Sequence, residues 1–206
     1  EKLCVVYNGL DYEQRSGGVG NREKSLRIRE NLGLEGKFVV VFFGRAGVSK
    51  GLEFFLAAIP KIVEENPDFV ALVICSKKDP RFGFFQKKIE KLGVGDFVVW
   101  IDSVKYSELK FHILAGDCVV VPSLVEGFGF AAAEVSALGM PLIVSEIASL
   151  PEVVSGKICF VGPSDAAGIA AAVARVRVGE REEIPAKKFL WETMVEKISE
   201  EYGNLC

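Results

Sequence analysis

Apolar and polar residues fall in blocks along this chain rather than in simple alternation. From Phe38 onward, runs rich in β-branched and aromatic side chains occupy residues 38–43, 69–75, 97–101, 118–121, 142–145 and 158–161. Short apolar runs without polar interruption predict strands buried on both faces, as in a parallel sheet. The stretches between them, residues 51–65, 84–92, 107–115, 130–138 and 165–176, repeat their apolar positions every three or four residues, as with Leu52, Phe55, Leu56, Ile59 and Val63. That is the helical period. Asp165 suits an N-cap, and Gly139 with Pro141 just beyond it suits a helix stop. Strands alternating with crossover helices predict an α/β fold: a doubly wound, Rossmann-like parallel sheet of about six strands.

The flanks are less regular. Residues 1–36 contain a short apolar run at 3–7, a loop "SGGVGN" and a helical pattern over 22–32. The "GGVG" within that loop follows polar residues rather than a strand, so it lacks the context of a dinucleotide-binding turn. The expected organisation is an interdomain linker with a leading strand and helix over 1–36, a Rossmann-like domain over 37–180, and a C-terminal segment over 181–206. A helix over 187–202 carries the bulky "FLWETMV", a surface suited to packing towards a missing N-terminal domain. The opening "EKLCVVYNGLDYE" has no initiator Met or leader pattern and reads as a piece of a longer protein.

Composition narrows the function classes. Of 206 residues, half are hydrophobic and 26% charged, with a net charge of −3, so there is no basic footprint for nucleic acid. No apolar run approaches the roughly 18 residues of a membrane span, so no transmembrane segment is expected. Five widely spaced cysteines without a C-x-x-C pair read as reduced thiols of a cytoplasmic protein, peripheral membrane contact of a full-length parent remaining open. With no D-x-D pair and no His/Cys cluster, neither a metal nor a cofactor is expected. The single histidine, His112, lies in a helical pattern away from any strand end and is assigned no catalytic role.

Ligands of open parallel sheets sit outside the carboxyl ends of the strands, which directs attention to the residues that follow each run. "GRAGVSKG" follows the first, offering Gly44, Arg45, Lys50 and Gly51; Ser76, Lys77 and Lys78 follow the second; Asp102, Ser103 and Val104 follow the third. Glycines let a ligand approach the backbone while a guanidinium fork and an ammonium face it, which suits a diphosphate. The fourth run leads into "EGFGFAAAE", residues 126–134. There Gly127 and Gly129 permit a tight turn into a helix near Phe130, whose first N–H groups favour an anion. Two acids flank that turn. If Glu126 and Glu134 were both helical, eight residues would set them ~80° apart in azimuth; with Glu126 in the loop they can flank one elongated ligand. A carboxylate beside an anion site fits when cations compensate it or when it accepts from hydroxyls, and a polyol attached to a phosphate satisfies both conditions.

The E-x7-E spacing beginning "EGFG", the preceding "VVPS", the following "ALGMPLIVSEIASLPEVV" and the upstream "GRAGVSKG" together resemble the C-terminal domain of retaining glycosyltransferases of the GT-B fold, family four. "VYNGLD" resembles the family's entry into that domain and "FLWETMVEKISEEY" its final helix; "CSKKDP" departs from its glycine-rich turn. The resemblance implies one half of a GT-B fold that binds a nucleoside-diphosphate sugar, UDP- or GDP-linked, and transfers a hexose to an acceptor hydroxyl. It implies Arg45 and Lys50 at the donor diphosphate, Glu126 at the sugar hydroxyls near the reacting carbon, and Glu134 at the ribose. Gly44 belongs to the same donor loop. Backbone groups of Gly127, Phe128, Gly129 and Phe130 would touch sugar and phosphate, with Ser103 and Val104 beside the base. The partner implied is an N-terminal acceptor-binding domain, in the same protein or as a second subunit. Two other readings stand beside this one: a glycoside hydrolase, from the paired carboxylates, and a non-catalytic nucleotide-sugar module or one subunit of a two-chain transferase.

Overall fold

The computed structural model describes residues 3–11 and 19–203. In chain order the elements are α1 (Val19–Asn31), β1 (Phe38–Phe43), α2 (Leu52–Glu65), β2 (Phe69–Ile74), α3 (Phe82–Leu92), β3 (Val98–Ile101) and α4 (Tyr106–Leu114). They continue with β4 (Cys118–Val121), α5 (Phe130–Ala137), β5 (Leu142–Ser145), α6 (Leu150–Val153), β6 (Gly156–Val161), α7 (Ala166–Arg177), β7 (Glu182–Ile184) and α8 (Trp191–Gly203). The strands form one sheet in the order β3-β2-β1-β4-β5-β6-β7. All neighbouring pairs are parallel except β6 and β7, which run antiparallel.

Side-chain alternation along β1 explains why helices cover both faces. Val40 and Phe42 point into a core completed by Phe55 and Ile59 of α2, Phe85 of α3 and Ile169 and Val173 of α7. Val39 and Val41 point the other way, onto Ile113 of α4, Ala132 and Val135 of α5 and Leu150 of α6. A strand buried on both sides must be apolar at every position, and "FVVVFF" is. At the amino end of the sheet, Arg29 of α1 forks onto Asp117, donates to the carbonyls of Ala115 and Lys37, and so fastens α1 to the starts of β1 and β4. Asp165 caps α7 by accepting from the Gly168 amide at 2.7 Å.

Four expectations are corrected. The sheet has seven strands rather than about six, because "EEI" pairs with β6 although its side chains are mostly exposed and carry no apolar signal. β3 is half-buried rather than buried on both faces, because it is the edge of the sheet. Residues 3–7 form no strand: they find no ladder to join, and Leu10 instead donates to the Phe189 carbonyl at 2.7 Å. The helix expected over 22–32 begins at Val19, taking in the end of the "SGGVGN" loop; residues 16–18 of that loop lie outside the described residues. Cys75, Cys118 and Cys159 are free and buried, and desolvation pushes the Cys75 thiol up to about 11, so it stays protonated and packs as a small hydrophobe. Among the described residues no helix is long and apolar enough to cross a membrane.

Candidate functional site

The strand order reverses between β1 and β4: the chain runs outward from β1 through β2 to β3, then returns to place β4 on the other side of β1. The loops after β1 and β4 therefore diverge over opposite faces and leave a crevice between them. Gly44 leaves β1 with φ of 130°, a conformation that favours glycine, and a Cβ placed on it would meet nothing within 4 Å. The open space in front of it belongs to a cleft of ≈ 260 Å³ lined by Phe43, Gly44, Arg45, Ser76, Asp79, Ser103, Val104 and Leu109. A smaller hollow of ≈ 60 Å³ shares Phe43 and Gly44 and continues to Lys50, Ser123, Glu126 and Ala131. Arg45, Ser103 and Val104 thus line the larger hollow and Lys50 and Glu126 the smaller one, the two adjoining at Phe43 and Gly44, while Glu134 is among the lining residues of neither. Lys77 and Lys78 line neither; their side chains are exposed to solvent.

Two close backbone contacts hold the loops after β1 and β4 together. Gly51, with φ of 65°, packs so tightly on Pro122 that a Cβ there would stand 1.8 Å from the Pro122 carbonyl oxygen. Leu124 donates its amide to the Ser49 carbonyl at 2.7 Å. This juxtaposition carries Lys50 onto Glu126: Nζ lies 2.6 Å from Oε1, and the same oxygen accepts from the Ser123 hydroxyl at 2.8 Å. With 9% of its side chain exposed, Glu126 is a desolvated carboxylate stabilised by one ammonium and one hydroxyl. Arg45 is exposed and makes no hydrogen bond or ion pair with another described residue, so its guanidinium is available to an anion.

Helix α5 begins at Phe130, after Gly129 with φ of 94°, where a Cβ would meet Leu150 Cδ2 at 2.5 Å. Only glycine fits so close an entry. The small Ala132 and Ala133 let the helix sink against the sheet, and Glu134 follows one turn in, 7% exposed. Glu126 and Glu134 therefore occupy the loop and the helix of one strand-to-helix turn. Gly127 is exposed with open space around it. The Phe128 ring, by contrast, turns away into an aromatic cluster with Tyr7, Phe130 and Phe189, while its carbonyl accepts from Ser149 at 2.9 Å.

Several contributors act through contacts that the linear pattern does not show. Asp79 accepts from the Ala46 amide at 3.3 Å, and Arg81 donates to the Ala46 carbonyl at 3.2 Å, so the loop after β2 clamps the loop carrying Arg45. Asp102 accepts amide bonds from Lys77 and Ser103, which depress its pKa below the usual carboxylate range and fix the rim that carries Ser103 and Val104. The hydroxyl of Tyr106 donates to Glu134 Oε1 at 2.8 Å from the first position of α4. The acidic residues that follow known strands were the available signal for Asp79 and Asp102; Tyr106 had none. His112 lies outside the cleft, its Nδ1 3.0 Å from the Glu108 carbonyl. Among the described residues, no three His, Cys, Asp or Glu side chains gather as a metal site.

The chain resembles an uncharacterised glycosyltransferase of Methanocaldococcus jannaschii, 33% identical over 179 residues, covering 85% of this chain and 45% of that protein. It is 30% identical to the D-inositol 3-phosphate glycosyltransferase of Corynebacterium glutamicum, across 99% of this chain and 52% of the relative. The chain thus spans about half the length of these relatives. Among solved structures, HepE of Anabaena in complex with UDP superimposes with a TM-score of 0.81 at 19% identity, over 98% of this chain and 57% of that one. The C-terminal domain of a glycosyl transferase group 1 family protein from Francisella tularensis matches with a TM-score of 0.67 at 21% identity, over 94% and 98% of the two chains. These structures share the fold of a GT-B C-terminal domain. The profile of the family described as glycosyl transferases group 1 matches residues 24–184, from within α1 to the last residue of β7, and the chain belongs to that family.

Proposed function

We propose that this chain is the donor-binding half of a retaining, family-four glycosyltransferase that moves a hexose from a nucleoside-diphosphate sugar to an acceptor hydroxyl. The observation that carries the reading is the meeting, at one sheet switch point, of Arg45, Lys50 and the Glu126 carboxylate around two hollows that adjoin at Phe43 and Gly44, with Glu134 on the helix that follows. A donor laid along the cleft puts its base against Ser103 and Val104, its ribose hydroxyls at Glu134, its diphosphate at Arg45 and Lys50, and its sugar hydroxyls at Glu126. The backbone of Gly44 and of Gly127 to Phe130 completes the sugar and phosphate contacts.

Chemically, the departing nucleoside diphosphate takes the electron pair of the glycosidic bond, and its developing charge is met by Arg45, Lys50 and the amide groups at the start of α5. Lys50 also compensates Glu126, which lets a carboxylate stand near a diphosphate and read sugar hydroxyls. The donor is UDP- or GDP-linked, and the UDP complexes of the HepE structures motivate the first test. The acceptor pocket belongs to an N-terminal domain, in the same protein or on a second subunit, and closure of the two lobes aligns the reacting atoms.

The test is direct. The purified chain is titrated with UDP, GDP, ADP and their hexose conjugates, then incubated with its best donor and a panel of lipid, sugar and small-alcohol acceptors, with and without the upstream domain. Binding by the chain alone, with transfer only when the second domain is supplied, is the expected outcome. Binding of none of these ligands overturns the donor assignment. Transfer by the chain alone overturns the division between lobes, and binding without transfer in the presence of both domains leaves a nucleotide-sugar module.

A further inference from the structure

The loop that forms the base-side wall of the cleft ends at Tyr106, the first residue of α4. From there the phenol reaches across to α5 and donates to Glu134 Oε1 at 2.8 Å. We infer that Tyr106 is a positioning residue for the ribose-side carboxylate: its hydroxyl fixes Glu134 in the orientation from which the carboxylate accepts the ribose hydroxyls of a nucleoside diphosphate. The inference rests on the assignment of Glu134 given above.

Three features of the contact support it. A glutamate reaches its carboxylate through three rotatable bonds, so a buried one acquires a defined direction only from its hydrogen bonds. Tyrosine has two torsions and a rigid ring, so its hydroxyl arrives at a fixed distance from its own backbone. Glu134 is 7% exposed whereas Tyr106 is 52% exposed, so the donor reaches inward from the surface and the acceptor is the buried member. The bond also spans two loops of the site. Ser103 and Val104, on the cleft wall, precede Tyr106 in the same loop, while Glu134 lies on the helix that follows Gly127 and Gly129. This hydrogen bond therefore ties the base-side wall to the ribose-side acid, coupling where the base rests to where the ribose hydroxyls are read.

A tyrosine that only packs α4 against α5 would make the same contact, and ribose chemistry separates the two roles. The chain and its Tyr106→Phe variant, which keeps the ring, are titrated by calorimetry with uridine, guanosine and adenosine diphosphates and with the 2′,3′-dideoxy form of each. For the base that binds tightest, the unmodified chain prefers the ribose form. Tyr106→Phe weakens that form ~3- to 10-fold, the range of one hydrogen bond, and leaves the dideoxy form unchanged. In a Glu134→Ala background the same substitution has no further effect, so the two residues act as one unit. Equal losses for both forms, or no loss for either, overturn the positioning role and leave the Glu134 assignment standing. An unmodified chain that binds ribose and dideoxy forms equally overturns the ribose assignment itself, and the inference with it.

Discussion

Strands β1 and β4 carry an ion pair at each end, and the two pairs are built differently. At the amino ends, Arg29 meets Asp117 through both guanidinium nitrogens, at 3.1 and 3.2 Å, and donates to two backbone carbonyls as well. Asp117 in turn accepts from the Val39 amide at 2.7 Å. At the carboxyl ends, Lys50 touches Glu126 with one ammonium and shares its oxygen with Ser123, beside an open hollow and an unpaired arginine. A fork whose two terminal nitrogens are both engaged by carboxylate and carbonyls has little left to offer a ligand; a compact ammonium can turn towards an incoming phosphate. Cavity size misleads here. The hollow beside Arg29 and Asp117, at ≈ 400 Å³, is larger than the cleft at the other end. The chemistry of the pair, not the volume beside it, distinguishes the end that holds the fold from the end proposed to bind the donor.

The sharpest way to break this comparison is to remove the contact on which the carboxyl-end pair depends. Gly51→Ala adds a Cβ at 1.8 Å from the Pro122 carbonyl at φ of 65°. It should destabilise the fold by roughly 3 kcal/mol or more and abolish nucleotide binding, because relief of the clash separates Lys50 from Glu126. Urea denaturation and calorimetry measure the two effects. Next comes Arg29→Ala, which strands the partly buried Asp117 carboxylate. A loss of about 2 to 3 kcal/mol, or a fall in melting temperature of roughly 5–10 °C, is expected, with nucleotide affinity of the folded protein unchanged. Arg29→Lys should not restore it, since an ammonium cannot reproduce the fork.

Arg45→Ala inverts that pattern: melting changes little while nucleoside-diphosphate affinity falls roughly tenfold or more, read by calorimetry, whereas Lys50→Ala lowers affinity by a similar factor and also costs stability, because it strands the Glu126 carboxylate. A mutation at the binding end that cost stability alone would dissolve the contrast between the ends. The smallest effect belongs to a third pair on the rim, Arg177 bidentate to Asp68 at 2.8 Å for both bonds. The Arg177 hydrogen bonds lower the folded-state pKa of Asp68. Its contribution is therefore present above the unfolded carboxylate pKa and lost as pH falls through the lower folded value. Asp68→Asn should flatten the acid side of the stability curve by no more than about 1 kcal/mol, with no change near neutrality beyond that amount.

Much of this was legible in the linear pattern because buried parallel strands tolerate no polar interruption. β1, β4 and β5 fall where their apolar runs do. β7 was not legible: "EEI" is held by its backbone pairing with β6 and by Ile184 alone against the core, and one apolar residue on an exposed edge is too short a run to read as a strand. The apolar "LCVVY" near the start shows the reverse, a strand-like run without a neighbour to pair with. In the site, Gly44, Arg45, Lys50 and Glu126 were legible because they directly follow strands, and topology alone brings such residues to one rim. Tyr106, Asp79 and Arg81 were not, since their roles arise from contacts across 28 to 35 residues that no local spacing encodes.

The central claim is that Glu126 and Glu134 read the two ends of one nucleotide sugar. Calorimetry of Glu126→Ala and Glu134→Ala, each against the bare nucleoside diphosphate and its hexose conjugate, tests it most directly. The account predicts that Glu134→Ala weakens both ligands alike, whereas Glu126→Ala spares the bare nucleotide and weakens the conjugate. Equal losses for both ligands in both variants, or a Glu126→Ala variant that binds the conjugate as tightly as the unmodified chain, would contradict it.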